Sequence, residues 1–314
     1  MQRYKELVEA RVGEWCAALP ANDLYAPMAY LLRLPAKRVR PISVLMACEV
    51  FGGKVEDAFD EALGIELFHN FTLMHDDIMD ASPLRRGDPT VHVKWNTNTA
   101  ILSGDALLVK AYQLMGRNKE VLALFNRYAQ EVCEGQQLDM DFEKRDDVRA
   151  EDYMEMIRLK TAVLLSCALQ VGATIAGAAQ EDRARIGAFG EQLGLAFQLR
   201  DDLLDAFGNP ASTGKQRGGD LRAGKKTWLL LRGLELEREQ GGSVLQGQLQ
   251  RPTADRDAHA MISALEQNGA KQAAEQEIAE HEAKAIAQLD ALQAAAERKV
   301  GLRGMAEALM GRKS

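Results

Sequence analysis

The stretch ELFHNFTLMHDDIMDASPLRRGDPTVH, from Glu66 to His92, decides how the rest of the chain can be interpreted. It places Asp76, Asp77 and Asp80 inside a run rich in Leu, Phe, Ile and Met. At about 100° per residue, a helix brings Asp76 and Asp80 to one face. Carboxylates buried beside apolar residues are unfavourable unless something pairs with them. Oxygen-only ligands favour a hard cation such as Mg²⁺, so the stretch predicts a divalent-metal site.

Two arginines follow these carboxylates in the loop SPLRRGDPTVH. Arg85 and Arg86 suit bidentate contact with phosphate oxygens. The alternative is a chance DDxxD on a solvated helix face, because short motifs do arise that way. Metal-binding acids beside phosphate-binding arginines instead indicate a substrate that carries a diphosphate.

The acidic pattern occurs a second time, in FQLRDDLLD. Its carboxylates have the same spacing and a similarly apolar setting, and they are Asp201, Asp202 and Asp205. Two such clusters favour a metal site over surface charge. The Gly-rich segment ASTGKQRGGD follows, and we expect it to be mobile without substrate. Its Lys215, with Lys225 beyond it, can close over a bound phosphate as lids do.

With these motifs in order, the chain resembles the trans-type prenyl diphosphate synthases, which join isoprenoid diphosphates head to tail. The matching pieces run from Lys37 to Lys225 and are KRVRP, HDDIMD with LRRG, GQQLD, Lys160–Thr161, FQLRDDLLD and GKQRGGDLRAGKKTW. The resemblance implies a homodimer and the isoprenoid synthase fold. In that fold, helices surround a deep central cleft and the two DDxxD helices face each other. One departure is plain, because Pro35 and Ala36 stand where the family usually has Gly-Gly.

The composition predicts an all-α protein. Ala, Leu, Glu and Met are plentiful, and strand-like alternation is nearly absent. With 314 residues and 46% hydrophobic content, the chain is long enough for one large core or two ordinary domains. No boundary is visible, so we predict a single domain over 1–314. Periodicity and stop signals predict helices at about 2–19, 24–33, 42–51, 55–81, 98–116, 119–143, 151–179, 182–207 and 226–239, with a helical tail from about 253.

Charge and cysteine content limit the partners and the compartment. There are 39 Lys and Arg residues against 46 Asp and Glu, a net charge of −7 that argues against nucleic acid as the main partner. The cysteines lack a CxxC pair, so we expect four reduced, buried thiols in a cytoplasmic protein, namely Cys16, Cys48, Cys133 and Cys167. We find no apolar run of the roughly 18–20 residues that span a bilayer, and we expect no stable membrane insertion.

The resemblance implies a role for each candidate residue. Those assigned to the diphosphate of isopentenyl diphosphate are Lys37, Arg40, His69 and Arg86. Those assigned to the allylic diphosphate are Arg85, Lys160, Lys215 and Lys225. Mg²⁺, with three ions per site, would be held by the six carboxylates Asp76, Asp77, Asp80, Asp201, Asp202 and Asp205. The carbonyl and hydroxyl near Lys160–Thr161 and the amide oxygen of Gln198 can present negative dipoles to a carbocation.

Two aromatic residues before the first motif are candidates for setting product length. Phe71 and Phe68 precede Asp76 by five and eight residues. Periodicity points Phe71 away from the acidic face and Phe68 nearer to it, so both can also be ordinary core residues. By family pattern, Thr72 beside Phe71 and an uninserted DDIMD are more like short-chain geranylgeranyl synthases. We therefore predict a product of fifteen to twenty carbons, with twenty favoured.

The sequence thus predicts Mg²⁺-dependent, head-to-tail condensation of isopentenyl diphosphate with an allylic diphosphate, in isoprenoid biosynthesis. A class I terpene cyclase is the first alternative, but cyclases generally carry an Asn/Ser/Glu pattern in place of the second acidic motif and lack KRVRP. A catalytically silent regulatory subunit of a prenyl synthase is the second, although such subunits usually lose acids from one motif. A helical metal-dependent phosphohydrolase is the third, but His is scarce.

Overall fold

Helices dominate the structure, a computed structural model that describes residues 1–208 and 217–311. The all-α prediction is confirmed, since the only strands among these residues are two residues long. Lys215 and most of the Gly-rich segment around it lie outside the described residues, and so do the predictions made for them.

The chain divides into two compact units. Unit 1 comprises Met1–Arg127, Cys167–Ile186 and Gln293–Leu302, and unit 2 comprises Tyr128–Ser166, Gly187–Leu292 and Arg303–Ser314. The first acidic motif belongs to unit 1 and the second to unit 2. A single domain over 1–314 stays a prediction.

Unit 1 is built around the helix that carries the first motif. Its helices are α1 (Gln2–Ala17), α2 (Ala26–Arg33), α3 (Val39–Val50), α4 (Phe59–Met79), α5 (Val91–Lys94) and α6 (Thr97–Met115), with a 3-10 turn at Val55–Ala58. α4 packs along α6 and α3. Its residues Ile65, Leu67 and Phe68 are almost fully buried, so α4 is a core helix.

A short hairpin follows α4 and presents the two arginines. Leu84–Arg85 pairs antiparallel with Asp88–Pro89. The two residues between the strands, Arg86 and Gly87, have φ of 57° and 89°. Positive φ at both central residues is what a type I′ two-residue turn requires, and a glycine at the second position favours it. The LRRG motif is therefore a tight turn with Arg86 at its tip.

Besides the C-terminal helix given below, three helices contribute residues to both units: α7 (Lys119–Glu143), α9 (Val163–Ile175) and α10 (Gln180–Phe207). The remaining helices of unit 2 are α8 (Ala150–Ile157), α11 (Gly219–Ala223), α12 (Trp228–Glu239), α13 (Val244–Leu249), α14 (Ala258–Gln267), α15 (Ala270–Asp290) and α16 (Ala296–Met310, which begins in unit 1). Their core includes Tyr153, Leu199, Leu230 and Met261.

The helix pair α8 and α9 is joined without a break. A π-helical turn at Arg158–Ala162 connects them, so the helix predicted at about 151–179 is one continuous helix with a local widening. The continuous segment Ala150–Ile175 is long and apolar enough to cross a membrane by length and composition, contrary to the sequence expectation. However, 78% of its most apolar window is buried inside the protein, and core helices pass the same test.

The prediction of four buried thiols is wrong at one position. Cys16, Cys48 and Cys167 are buried and in no disulfide, but Cys133 is exposed. Cys133 lies on α7, one residue after the buried Val132, and therefore about 100° around the helix from the core-facing side.

Candidate active site

The three carboxylates of the first acidic motif differ in how far they are buried. Asp77 is 1% exposed, whereas Asp76 is half-buried and Asp80, the C-cap of α4, is exposed. Burial raises the pKa of Asp77, against the lowering effect of Arg85. The predicted shared face of Asp76 and Asp80 agrees with this arrangement, because residue 77 is turned about 100° from residue 76.

Arg85 binds the buried carboxylate. Its Nε donates to both oxygens of Asp77 at 2.8 Å, and its Nη2 lies 3.5 Å from Asp76 Oδ2. Arg85, which the resemblance assigns to the allylic diphosphate, is thus bound to the first acidic motif. Asp77 as a metal ligand stays a prediction, and the contact shown here is with Arg85.

The basic turn KRVRP contains a buried residue that sequence analysis missed. Lys37 is exposed, but Arg38 is buried in the left-handed region with φ of 53°. Arg38 Nη1 donates to Glu66 Oε1 at 2.5 Å and Nε donates to Glu9 Oε1 at 3.0 Å, and Nη2 donates to Leu32 O. Glu66 also accepts from Asn70 Nδ2 at 2.9 Å. Prolines on both sides of the turn signalled its importance, but the pattern did not show which basic residue turns inward.

Arg40 and His69, assigned to one substrate by the resemblance, do lie together. Arg40 Nη1 is 3.3 Å from His69 Nε2. A guanidinium can only donate, so Nε2 accepts and His69 is neutral with its proton on Nδ1. Burial, followed by the charges of Arg40 and Arg86, lowers the pKa of His69 well below its usual value.

The guanidinium of Arg40, beside His69, is poorly hydrated. Burial lowers the pKa of Arg40 to about 10, against the opposing effect of Glu66, and burial also lowers that of Arg86. Within the described residues, Arg40 Nε is a buried donor that has no hydrogen-bond partner. Buried donors are normally satisfied, so the site of Arg40, His69 and Arg86 fits an anion with several oxygen acceptors.

In the second acidic motif, too, the second carboxylate is the most buried of the three. Asp201 is exposed and Asp205 half-buried, but Asp202 is only 6% exposed. Tyr153 Oη donates to Asp202 Oδ2 at 2.5 Å, and Gln198 Nε2 donates to Oδ1 at 3.0 Å. Burial raises the pKa of Asp202 to about 7, against the lowering effect of these two hydrogen bonds. Sequence analysis gave no signal for Tyr153.

Lys160 lies on the π turn and is paired. Its Nζ is 2.6 Å from Asp139 Oδ2 on α7. Two glycines on neighbouring helices leave the space that the π turn occupies. A Cβ on Gly135 would overlap the backbone of Lys160, and a Cβ on Gly194 would come within 2.7 Å of Ala162 Cα. The π turn therefore needs both glycines, and such turns frequently occur at functional sites.

Lys225 belongs to the same group of unit 2 charges. Its burial lowers its pKa, but Asp220, Asp139 and Asp202 together outweigh that effect and raise it. Lys225 therefore stays protonated beside Lys160 and Asp202, as a phosphate contact must.

The two candidate length-setting residues differ in accessibility. Phe68 is 1% exposed, and its ring lies 5.1 Å from that of Phe125 and 5.6 Å from that of Phe71. Phe71 is half-buried, with its ring 4.8 Å from His75. The structure thus places Phe68 in the core and Phe71 nearer the surface of unit 1.

The described residues contain no group of three or more His, Cys, Asp or Glu side chains that could hold a metal ion alone. Mg²⁺ in phosphate-transfer sites usually takes one or two carboxylates and completes its shell with water and substrate phosphates. Surface-directed carboxylates such as Asp76 and Asp80 suit that kind of binding.

An all-helical chain with two DDxxD motifs and a basic anion site has the features of the prenyl diphosphate synthase class. The profile described as "Polyprenyl synthetase" matches residues 21–266, and the chain belongs to this family. It is 40% identical over 241 residues to a short chain isoprenyl diphosphate synthase from Methanothermobacter thermautotrophicus, covering 75% of this chain and 74% of that protein. It is 39% identical over 235 residues to a geranylgeranyl diphosphate synthase from Methanosarcina mazei, covering 73% and 72% respectively.

Solved structures show the same fold. A geranylgeranyl pyrophosphate synthase matches with a TM-score of 0.91 and 42% identity, over 100% of this chain and 98% of that one. The geranylgeranyl pyrophosphate synthase from Corynebacterium glutamicum, solved with isoprenyl diphosphate and magnesium, matches with a TM-score of 0.86 and 29% identity over 99% of each chain. The predicted isoprenoid synthase fold is confirmed, and the chain is a short-chain trans-prenyltransferase similar to geranylgeranyl diphosphate synthases.

Neutral His69 predicts a pH dependence of stability. The pKa of His69 in the folded protein lies well below 6.5. Below about pH 6.5, His69 therefore binds a proton in the unfolded chain but not in the folded chain. This contribution to stability is present above that pH and is lost as the pH falls. Urea titrations at pH 7.5 and pH 5.5 measure how far the free energy of unfolding falls between the two values. In His69→Gln this fall should be about 1 kcal/mol smaller than in the parent protein.

The exposed His259 provides the control for this measurement, because His259→Gln should leave the pH dependence as it is. Equal losses in the parent and His69→Gln would contradict a neutral, buried His69.

Proposed function

We propose that this protein condenses isopentenyl diphosphate with an allylic diphosphate, head to tail, to a product of fifteen to twenty carbons, with twenty favoured. The observation that carries the proposal is the anion site of Arg40, His69 and Arg86 on the unit that also carries Asp76 and Asp80. Its buried, partnerless Arg40 Nε fits a diphosphate oxygen. Geranylgeranyl products in the relatives support the length.

Mg²⁺ fits the carboxylates that face outward. We assign it to Asp76, Asp80 and Asp201, with Asp205 and the two buried carboxylates of the motifs as further candidates, and with three ions per site. Bound Mg²⁺ would offset the negative charge that develops on the leaving diphosphate.

The chain's own residues perform the remaining tasks. Lys160, Arg85 and Lys225 contact the allylic diphosphate and hold it for departure, with Lys215 as a further contact. Each of the first two is already bonded to a carboxylate, so its position is set before substrate binds. Pre-positioned charges stabilise a transition state without reorganising.

The carbocation and the second substrate are handled separately. The Gln198 amide oxygen, the Thr161 hydroxyl and the backbone carbonyls of the π turn present negative dipoles to the cation. Lys37, Arg40, His69 and Arg86 hold isopentenyl diphosphate so that its double bond reaches the cationic carbon. The product loses a proton to the released diphosphate, so no side-chain base is needed.

The direct test incubates the purified protein with Mg²⁺, isopentenyl diphosphate and five-, ten- or fifteen-carbon allylic primers, and identifies the products. Chain-extended diphosphates are expected. Hydrocarbons formed from an allylic diphosphate alone would indicate a cyclase, and no incorporation from any primer would contradict the proposal.

Replacing the outward-facing carboxylates tests the metal assignment. Asp76→Ala or Asp201→Ala should lower kcat by about 10²–10³-fold, because charge stabilisation at the leaving group is lost. Each variant should also lose the thermal stabilisation that Mg²⁺ plus inorganic diphosphate gives the parent protein.

Asp147→Ala is the matched control, because Asp147 is exposed and pairs with Arg145 only at the surface. It should keep both turnover and stabilisation. Near-parental turnover in Asp76→Ala or Asp201→Ala would overturn the metal assignment.

Product length should depend on Phe71 and Phe68. At about 1.5 Å per residue they lie roughly 7 and 12 Å along α4 from Asp76. Phe71→Ala or Phe68→Ala should lengthen the main product, measured by chromatography of the dephosphorylated alcohols. Because Phe68→Ala can cost about 3–5 kcal/mol of stability, Phe68→Leu serves as a milder variant.

Phe59→Ala is the control on the same helix, since Phe59 begins α4, roughly 25 Å from Asp76. It should leave the product unchanged. An unchanged product from the variant that carries both Phe68→Ala and Phe71→Ala would mean that residues on another helix limit the product length.

We also propose that the protein is a homodimer in the cytoplasm. α6 exposes the apolar side chains Ile101 at 40%, Leu102 at 60% and Val109 at 55%, and apolar side chains gathered on one helix can mark a protein–protein interface. Light scattering should give the mass of a dimer, and Leu102→Glu should lower it toward that of a monomer. A monomeric parent protein would overturn this proposal.

A further inference from the structure

Tyr153, Asp202 and Gln198 form a hydrogen-bonded chain inside unit 2. Tyr153, on α8, is 2% exposed, and its hydroxyl donates to Asp202 Oδ2 at 2.5 Å. Gln198 lies one turn before Asp202 on α10 and donates from Nε2 to the other oxygen, Oδ1, at 3.0 Å. Each oxygen of the carboxylate therefore has its own donor, one from each helix.

The direction of these bonds follows from the ionised form of Asp202. An ionised carboxylate only accepts, so the NH₂ arm of Gln198 is then the arm that faces Asp202. The amide oxygen is then the arm directed away from it. Burial beside Asp202 raises the pKa of Tyr153 well above its usual value, so the phenol keeps its proton and remains a donor.

An amide held in this way has one orientation rather than two. The two arms of a glutamine amide are nearly the same size, and the hydrogen-bond network decides which is which. The orientation of the amide matters for a nearby cation, because the oxygen end attracts it and the NH₂ end repels it. Tyr153 contributes by occupying Oδ2, which leaves Oδ1 for Gln198.

We propose that Tyr153 and Asp202 are positioning residues that fix the orientation of the Gln198 amide, so that its oxygen is presented to the allylic cation. This inference rests on the proposed function, in which Gln198 stabilises that cation. Tyr153 acts only through Asp202 and Gln198 and touches no substrate. A purely structural Tyr153 would satisfy a buried carboxylate equally well, so the test has to detect the dependence on Gln198.

A double-mutant cycle measures that dependence. Tyr153→Phe, assayed at saturating Mg²⁺ and both substrates, should lower kcat about tenfold while each KM stays within about twofold of the parent value. Gln198→Leu should lower kcat by at least as much. Adding Tyr153→Phe to Gln198→Leu should change kcat by less than about twofold, because no amide remains to be oriented.

Tyr128→Phe is the matched control. Tyr128 is also a buried tyrosine of unit 2, and its hydroxyl lies 3.1 Å from Ser166 Oγ. Tyr128→Phe should leave kcat within about twofold in both backgrounds. If Tyr153→Phe does not fold, Asp202→Asn takes its place in the cycle with the same expected coupling to Gln198. Its thermal stabilisation by Mg²⁺ plus inorganic diphosphate, expected at the parental value, then distinguishes lost amide orientation from lost metal binding.

Two results would overturn the inference, and they are distinguishable. An equal fold-loss from Tyr153→Phe with and without Gln198 would show that Tyr153 acts independently of the amide, and would leave the proposed function intact. A Gln198→Leu variant with parental kcat would remove the role of Gln198 from the proposed function itself, and the positioning role with it.

Discussion

Each DDxxD helix buries the second carboxylate of its motif, and the contacts around both motifs follow from how it does so. The second position is turned about 100° from the first, so a helix that packs against its neighbours can bury it while the first and fifth positions stay less buried. An ionised carboxylate that is buried without partners is unfavourable by several kcal/mol. Asp77 and Asp202 both meet this constraint, and each recruits partners that then become part of the site.

The two motifs meet the constraint with different chemistry. Asp77 is held by the charge of Arg85, whereas Asp202 is held by the neutral donors Tyr153 and Gln198. Neutral donors compensate burial less completely than a guanidinium in contact, in keeping with a pKa of about 7 for Asp202. Removing one partner of a buried ion pair typically costs about 3–5 kcal/mol, and removing a neutral donor from a buried acceptor costs about 1–3 kcal/mol or more. Arg85 and Tyr153 are therefore constrained by stability as well as by function.

The sequence was sufficient for the fold, because helix periodicity, composition and two motifs all indicate the same architecture. It was also sufficient for pairs one turn apart, such as the common face of Asp76 and Asp80. It could not separate Asp77 and Asp202 from the other carboxylates by role, because their partners come from a hairpin and from another helix. Arg38 shows the same limit: three basic residues in a short turn look alike until Glu66, on a different helix, is brought beside one of them.

The turn that carries Lys37 shows how a different sequence can hold the same kind of site. The family usually has Gly-Gly before this lysine, and flexible glycines would adopt whatever backbone the site requires. This chain has Pro35 and Ala36, and the following Arg38 adopts the left-handed region that favours glycine. Its guanidinium reaches two carboxylates and a backbone carbonyl, and these contacts offset that strain of roughly 1–3 kcal/mol.

Internal carboxylates pair with two of the cations that we propose as diphosphate contacts. Asp139 is bonded to Lys160 and Asp77 to Arg85. Each pair neutralises the charge of its cation and fixes its position, and in the proposed function a diphosphate has to compete with the carboxylate for that cation. His69 adds no charge, since it stays neutral beside Arg40. In the proposed function, each of these pairs lowers the affinity for a diphosphate in exchange for a fixed position of its cation. Fixed positions favour a reaction whose rate depends on holding two diphosphates in register.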